Sequence, residues 1–293
     1  MKKNIKSFFS GQTAFFWAVP AYIWQILFFY LPILFMIYVS FLYSPDGTQE
    51  AYYSLAHYRS FFKYAYFLSI LRSFILATIT SISCLFLGYP IAYFLSFIAK
   101  KTKNIFLFLF ILPFWTNFLL HIYAWFFVLE RGGFLNSFLI KTGIISHPIA
   151  FLNSSFAIVL VMIYCYLPFM TLPIYSVLEK FDKRLIEASQ DLGATSFQTF
   201  RYVVLPLVMP GIRSGLFLVF VPAFGDFVIP TLLGGDTSMY VGTIIAHYIM
   251  GIQTMARGAA FTVSISIILC GIIMFYWFFL TRKNSVKGRN HAR

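Results

Sequence analysis

Hydrophobic residues in this chain are concentrated in six long runs, separated by short polar segments. The runs lie at about 14–43, 67–98, 105–129, 151–178, 212–233 and 259–280. Each is near or above the roughly 17–25 residues that a helix needs to cross a bilayer. Lipid offers the backbone no hydrogen-bond partners, so helices are the usual spanning form, and the sequence lacks the short alternating segments of a membrane β-barrel. The pattern therefore predicts an all-α integral membrane protein with six transmembrane helices.

The composition agrees with a membrane protein. Hydrophobic residues make up 60% of the 293 residues and charged residues 11%, with a mean hydropathy of +0.81. A soluble domain has roughly half apolar and a quarter charged residues. No linker divides the sequence, so we expect one transmembrane domain over residues 1–293. The first apolar run is too long for the core of a signal peptide, which predicts an uncleaved first helix.

Positive charge is distributed unevenly among the polar segments. The chain has 22 Lys and Arg residues against 9 Asp and Glu. Most of these cations precede the first run, separate the second run from the third, lie in the 179–211 loop, or follow the sixth run. The positive-inside rule then puts both termini and the 179–211 loop in the cytoplasm. Position thus explains the net charge of +13, so we expect membrane lipid and not nucleic acid as a partner.

The sequence contains no motif of a catalytic or nucleotide site. It has no Gly-Lys pair for a P-loop, no HExxH and no GxSxG. The cysteines Cys84, Cys165 and Cys270 lie within apolar runs, at spacings that match no metal motif, and are expected to be small apolar core residues. We therefore expect no enzyme, no metal and no bound cofactor. Energy for uphill transport would come from an ion gradient or from another chain.

The polar stretch LIEASQDLGATSFQTFRYVVLPL, residues 185–207, differs from its apolar surroundings. It predicts a helix that begins at the N-cap Asp182 and ends at Gly193. Leu185, Ala188 or Ser189, and Leu192 would form one apolar stripe on it.

A second helix is predicted to follow directly. Thr195-Ser196-Phe197-Gln198 fits the capping-box pattern of a helix start. Pro206 is expected to end this helix, because the residue before a proline is pushed out of the α region. Beyond it, residues 239–252 form an apolar segment too short to cross and are expected to be an interfacial or re-entrant helix.

Two acidic residues of the first helix face the same side. Glu187 and Asp191 are four residues apart and repel each other, and Lys183 offsets part of this repulsion. The remaining negative charge favours a cation on a partner chain. The alternative is a solvated loop that is helical without a docking role.

The spacing of this stretch resembles a known motif. Permease subunits of ATP-binding-cassette importers carry EAA, three residues, Gly, nine residues, and Ile-x-Leu-Pro. Here the motif reads Glu187-Ala188-Ser189, Gly193 and Val203-Val204-Leu205-Pro206, with Ser189 in place of Ala and Val203 in place of Ile. The segments 87–96, 112–125, 167–200 and 222–235 resemble the spermidine/putrescine branch of that family and are spread over spans 2 to 5.

The resemblance implies a type I importer permease fold in a bacterial inner membrane. It implies a second homologous permease subunit, two cytoplasmic ATPase subunits that use ATP and Mg²⁺, and a polyamine-binding protein on the outer face. In such permeases the loop between spans 4 and 5 forms a coupling helix that docks into the ATPase. The residues that match this docking element are Glu187, Ala188, Ser189, Asp191, Leu192 and Gly193.

Candidate residues of the solute pathway follow from polarity at membrane depth. Asp226 lies in the fifth run between Phe224 and Phe227, where a carboxylate and aromatic faces would suit a polyamine. A salt bridge to the partner permease would explain Asp226 equally well.

Other candidates belong to the third run. Glu130 is a weaker one, since an interfacial ion pair with Arg131 is the simpler explanation. Trp115, Asn117 and Tyr123 would line the pathway unless they serve as packing or interface residues.

The sequence thus favours the permease subunit of an ATP-driven importer, with polyamines as the expected solute. The alternative is an ion-coupled secondary transporter of a small cationic solute. That class predicts internal repeats with broken helices at the midplane, and we find no clear repeat in the sequence.

Overall fold

The computed structural model describes residues 18–43, 52–61, 63–99, 102–235, 239–251 and 255–289, with no account of the side chains of residues 114 and 275–289. Six helical segments are long and apolar enough to cross a membrane, the predicted number: Ala18–Ser40, Tyr64–Ile98, Phe118–Lys141, Ser155–Glu179, Ser196–Gly225 and Met255–Met274. The third of these consists of two successive helices and begins later than the predicted run 105–129. The described ranges are therefore all-α apart from one small hairpin. Residues 14–17 of the first predicted run lie outside the described residues.

The described elements follow one another in a simple order. They are α1 (Ala18–Ser40), β1 (Leu42–Tyr43), β2 (Tyr52–Tyr53), α2 (Ala56–Ser60), α3 (Tyr64–Ile98), α4 (Lys103–Ile111, continued by a 3-10 turn Leu112–Trp115), α5 (Phe118–Leu129), α6 (Phe134–Lys141), α7 (Ser155–Glu179), α8 (Arg184–Asp191), α9 (Ser196–Gly225), α10 (Val228–Gly234), α11 (Val241–Met250) and α12 (Met255–Arg289).

Two compact units are formed, Met1–Tyr64 with Ile245–Arg293, and Ala65–Ile244. In the first unit, the start of α12 packs on α1 and α2. The rings of Phe61 and Phe261 lie 4.9 Å apart, and the small residues Ala259 and Ala260 are buried beside them. The antiparallel pair β1–β2 aligns Leu42 with Tyr53 and Tyr43 with Tyr52. The expectation of one domain over 1–293 stays a prediction.

The second unit is built around α7. Its largest interface is with α9, where two glycines bring the helices close together. A Cβ at Gly211 would lie 2.8 Å from the backbone oxygen of Pro173, and one at Gly215 would lie 3.0 Å from that of Met170. Small residues allow such close approach between membrane helices, where van der Waals packing replaces the hydrophobic effect as the main attraction.

A row of small and polar residues on α3 also faces this core. Its buried members are Ser69, Ser73, Ala77, Thr80, Ser81, Cys84, Gly88 and Ala92. The hydroxyl of Thr80 lies 3.7 Å from the sulfur of Met162, and the thiol of Cys84 donates to the carbonyl of Ile163 at 3.7 Å. The expected core role is confirmed for Cys84, whereas Cys270 is exposed.

The third predicted run is not one helix. The helix expected over 105–129 is interrupted at Thr116 and Asn117, which have extended backbone between the 3-10 turn and α5. Pro113 lies at the start of the 3-10 turn, where its missing N–H breaks the α-helical ladder. Residues 118–129 continue the run as α5, after a new helix start.

The fifth predicted run begins earlier and is also interrupted. Instead of starting at residue 212, α9 extends from Ser196 through a π turn, Phe200–Val204, to Gly225. The expectation that Pro206 ends a helix is wrong. Pro206 lies at the start of the α segment that follows the π turn, and α9 continues through it despite the missing N–H. Membrane helices tolerate a proline because local π adjustments satisfy the backbone groups that it frees. The helix stops instead at Asp226, and α10 follows.

The close contact between α7 and α9 at Gly211 can be tested by substitution. Gly211→Ala puts a methyl group against the backbone of α7, so we expect the free energy of unfolding to fall by about 1–3 kcal/mol. Gly271→Ala is the matched control, because a Cβ there meets no atom within 4 Å. Thermal denaturation in detergent should show a loss for the first variant and none for the second. Equal stability of the two variants would contradict the packing described here.

Candidate functional site

The polar loop between α7 and α9 presents a separate short helix, α8. The carboxylate of Asp182 accepts a hydrogen bond from the N–H of Arg184 at 3.0 Å, so Asp182 serves as the predicted start signal. At the other end, Gly193 has a φ of +84°, in the left-handed region that favours glycine. Its N–H donates to the carbonyl of Gln190, and the N–H of Ala194 donates to that of Ser189. These two hydrogen bonds form a Schellman motif, which ends α8 at Gly193 as the sequence predicts.

A capping box begins α9. The N–H of Gln198 donates to the hydroxyl of Thr195 at 3.3 Å, and the N–H of Thr195 donates to the side-chain oxygen of Gln198 at 2.8 Å. The loop between α8 and α9 is therefore short and fixed at both ends by hydrogen bonds. The predicted helix–turn–helix is confirmed at the end of α8 and at the start of α9.

One side of α8 is directed away from the rest of the chain. Leu185 is 45% exposed and Leu192 is 89% exposed, and Ala188 is exposed between them. Glu187 and Asp191 are also exposed, and neither forms an ion pair within the described ranges. Ser189 is half-buried, so the apolar stripe uses Ala188 and not Ser189. Exposed apolar side chains beside unpaired carboxylates thus distinguish this side of α8 from the side that faces α9.

The base of the loop contacts the end of α3 and the start of α4. The ammonium group of Lys183 lies 4.6 Å from the centre of the Phe97 ring, a cation–π contact. Lys183 thus contacts Phe97, and it forms no ion pair with Glu187 or Asp191, contrary to its expected role. The amine of Lys103 lies 2.7 Å from the Glu179 carboxylate, which raises the pKa of Lys103.

Asp226 lies at the break between α9 and α10, and not within a continuous span as expected. One carboxylate oxygen accepts hydrogen bonds from the N–H groups of Val228 at 2.9 Å and Ile229 at 3.4 Å. The other accepts from the hydroxyl of Tyr166 at 3.1 Å. Asp226 therefore caps α10 and joins it to α7. No cation pairs with it among the residues that the structure describes.

The other break, at Thr116 and Asn117 in the third run, contains one of the four candidates proposed there, Asn117, and directly follows another, Trp115. Asn117 accepts a hydrogen bond from the N–H of Leu119 at 2.8 Å and is the N-cap of α5. Trp115 is 74% exposed on the preceding turn, and Tyr123 is 48% exposed on α5. Asn117 thus has a structural role, while the two aromatic residues have free surfaces.

Glu130 ends α5 and is exposed. Its carbonyl accepts hydrogen bonds from the N–H of Gly133 at 2.8 Å and from the side chain of Asn136 at 3.2 Å. The expected ion pair with Arg131 is not formed in the described part of the chain. The carboxylate of Glu130 is therefore open to solvent or to a partner.

Sequence reasoning missed a polar cluster beside the second break. The ring of His121 contacts the hydroxyl of Thr116, and its Nε2 lies 2.9 Å from the carbonyl of Pro113. Its Nδ1 lies 3.0 Å from the hydroxyl of Tyr164 on α7. A histidine one turn after a capping Asn was the available signal. These contacts hold the two sides of the break together.

A cavity of about 490 Å³ lies elsewhere in the second unit. Its lining includes Arg72 of α3, Asn153 and Ser155 at the start of α7, and Met239 and Tyr240 before α11. None of the predicted pathway residues lines it, and the cation of Arg72 disfavours a polycationic ligand. Within the described residues, no group of three or more His, Cys, Asp or Glu side chains could hold a metal ion.

Six apolar helical segments and an exposed helix in a polar loop define a multi-pass membrane protein. Residues 85–283 match the family described as binding-protein-dependent transport system inner membrane component. The chain belongs to this family, whose members are transport subunits and not enzymes, and it is a multi-pass protein of the inner membrane.

Its relatives include named transport proteins. The chain is 39% identical to the spermidine/putrescine transport system permease protein PotB of Escherichia coli K12 over 255 residues, covering 87% of this chain and 93% of that protein. Haemophilus influenzae PotB is 40% identical over 256 residues, with 87% and 89% covered. A shorter match of 71 residues, 24% of this chain and 27% of the relative, is 39% identical to the permease protein PotC of E. coli.

Solved structures support the fold. A chain of a bacterial ABC transporter that imports alginate has a TM-score of 0.74 at 17% identity, covering 93% of this chain and 96% of that one. A second structure, of an alginate transporter in complex with an alginate-bound periplasmic protein, has a TM-score of 0.75 at 17% identity and covers 92% and 94%. The predicted type I importer permease fold is confirmed by these similarities.

The capping role of Asp226 gives a test of stability. Asp226→Ala removes the acceptor for two N–H groups and for the Tyr166 hydroxyl, so we expect a loss of about 1–2 kcal/mol in the free energy of unfolding. Asp226→Asn keeps an acceptor oxygen and should lie between the alanine variant and the wild type. Thermal denaturation of the purified protein measures this order. An alanine variant as stable as the wild type would show that Asp226 does not cap α10.

Proposed function

We propose that this chain is the permease subunit of an ATP-driven importer of polyamines such as spermidine and putrescine. The observation that carries the solute class is the similarity to PotB over 87% of the chain. The free aromatic surfaces of Trp115 and Tyr123, and the carboxylates of Asp226 and Glu130, supply the chemistry that a polycation needs along a pathway.

The proposed assembly contains a second homologous permease, two cytoplasmic ATPase subunits and an extracytoplasmic polyamine-binding protein. A PotC-like segment in this chain and the binding-protein complex of a structural neighbour support the permease pair and the binding protein. The ATPases are inferred from α8. We propose that Glu187, Ala188, Asp191 and Leu192 contact them, that Ser189 and Gly193 complete the docking element, and that both termini are cytoplasmic.

In this mechanism the permease binds no cofactor itself. The partner ATPase would use ATP and Mg²⁺, and its closure would move the docked α8. Alternating access to the two faces of the membrane then depends on transmitting that movement to the spans. The ion-coupled alternative gives α8 no role, and membership in a binding-protein-dependent family weighs against it.

Charge reversal on α8 tests the coupling role. Glu187→Arg replaces an exposed carboxylate with a cation that would face the proposed basic surface of the ATPase, so ATPase co-purification and uptake should fall at least tenfold, the loss expected when about 1.4 kcal/mol of binding is removed. Gly193→Pro should have a similar effect, because proline cannot adopt the φ of +84° or donate to Gln190.

The control for charge is Lys141→Glu, a reversal of the same size at the exposed end of α6. It should assemble and transport like the wild type. All three variants should insert into the membrane in normal amounts. Normal uptake by Glu187→Arg and Gly193→Pro would remove α8 from the coupling step.

Polyamine uptake by Asp226→Asn tests the pathway. If the charge of Asp226 contacts the solute, the variant should assemble with its partners and transport spermidine at least tenfold more slowly, as the loss of one charge-assisted contact implies. Radiolabelled uptake into proteoliposomes that contain the complete complex measures this rate. Wild-type transport by the variant would leave Asp226 with its capping role alone.

A further inference from the structure

Ser189 stands where the importer motif has alanine, and it makes a contact that alanine cannot. Its hydroxyl lies 3.0 Å from the hydroxyl of Thr199 on α9. Thr199 is only 3% exposed, whereas Ser189 is half-buried between the two helices. Either hydroxyl can be the donor. A buried hydroxyl without a partner is costly, so the pair gains stability from meeting at this point.

Few other interactions hold α8 against the chain. No residue of α8 is buried. In the residues that the structure describes, Ser189–Thr199 is the one hydrogen bond between a side chain of α8 and a side chain of α9. The other connections are the short segment that contains Gly193 and the capping box, packing of α8 on the π turn of α9, and the Lys183–Phe97 contact at its base. The Ser189–Thr199 bond is thus the direct side-chain link that fixes α8 to the start of α9.

Thr199 lies at a mechanically important place on α9. It directly precedes the π turn Phe200–Val204, and the helix continues without interruption to Gly225. A helix of 30 residues is about 45 Å long. Asp226, at its far end, is joined to α7 by the Tyr166 hydroxyl. A force applied to Thr199 is thus carried along one continuous helix to the break at Asp226.

We propose that Ser189 is a positioning residue that fastens α8 to the start of α9, so that displacement of α8 moves the fifth span. Ser189 faces away from the exposed stripe and therefore does not contact the ATPase itself. The exposed residues of the docking element would bind the ATPase, and Ser189 would transmit the displacement of α8 to α9. This inference rests on the proposed function, since it assumes that an ATPase docks on α8.

The test compares coupling with assembly in the complete transporter complex. Ser189→Ala should assemble with the ATPase as well as the wild type does, but solute imported per ATP hydrolysed should fall by about fivefold, the factor that one net hydrogen bond represents. Thr199→Val should give the same loss. The double variant should lose no more than either single variant, because both remove one interaction.

Two controls separate transmission from general damage. Thr199→Ser keeps the hydroxyl and should retain wild-type coupling. Ser196→Ala makes the same chemical change as Ser189→Ala at an exposed serine of α9 and should leave coupling unchanged. A purely structural role would lower stability or assembly without changing the ratio of solute to ATP.

The outcomes distinguish this inference from the proposed function. If the wild-type complex imports polyamine with ATP and Ser189→Ala has the wild-type ratio, the role of Ser189 is overturned while the proposed function stands. Additive losses in the double variant would also overturn it. If the wild-type chain neither binds an ATPase nor imports polyamine with ATP, the proposed function itself fails.

Discussion

The constraint on which this structure depends is that a backbone in lipid must satisfy its own hydrogen bonds. Unbroken helices meet it automatically, and in the described residues two of the predicted apolar runs depart from a continuous helix, at Asn117 and at Asp226. At each, a small polar residue accepts hydrogen bonds from the next helix: Asn117 begins α5 and Asp226 begins α10. A second side chain then ties the break to α7, through Tyr164 in one case and Tyr166 in the other. Both breaks are therefore hydrogen-bonded to α7, which is the central helix of the second unit.

The polar loop lies outside the apolar spans, and its helix keeps side chains exposed. Its helix α8 is fixed at its ends by Asp182 and Gly193, and its exposed side keeps Leu185, Leu192 and two carboxylates in contact with solvent. Exposed apolar side chains are unfavourable in water, and docking to a partner would remove them from it. The division of the motif is equally informative, because Ser189 alone of its EAA residues turns inward to α9.

Local patterns predicted most of this architecture. Six apolar runs gave six spanning helices, and Gly193 and the Thr195–Gln198 pair gave the loop its boundaries, because each depends on residues close in sequence. The breaks were missed, since an apolar run looks the same whether its helix is continuous or interrupted. The clue was a capping residue soon after a proline or glycine, as in Pro113 with Asn117. Contacts such as Ser189–Thr199 and His121–Tyr164 depend on how helices meet, which no local spacing encodes.

The π turn at Phe200–Val204 changes the direction in which the side chains of α9 point about the helix axis. A π turn contains one more residue than the α-helical turn it replaces, and each residue of an α-helix advances the side-chain direction by about 100°. The turn lies between the end of α9 that meets α8 and the part that meets α7. It therefore determines which side chains of α9 face α7 when Thr199, at the start of the helix, faces α8. In this permease the rotational phase between the loop half and the membrane half of one helix is set by a single inserted residue close to Pro206.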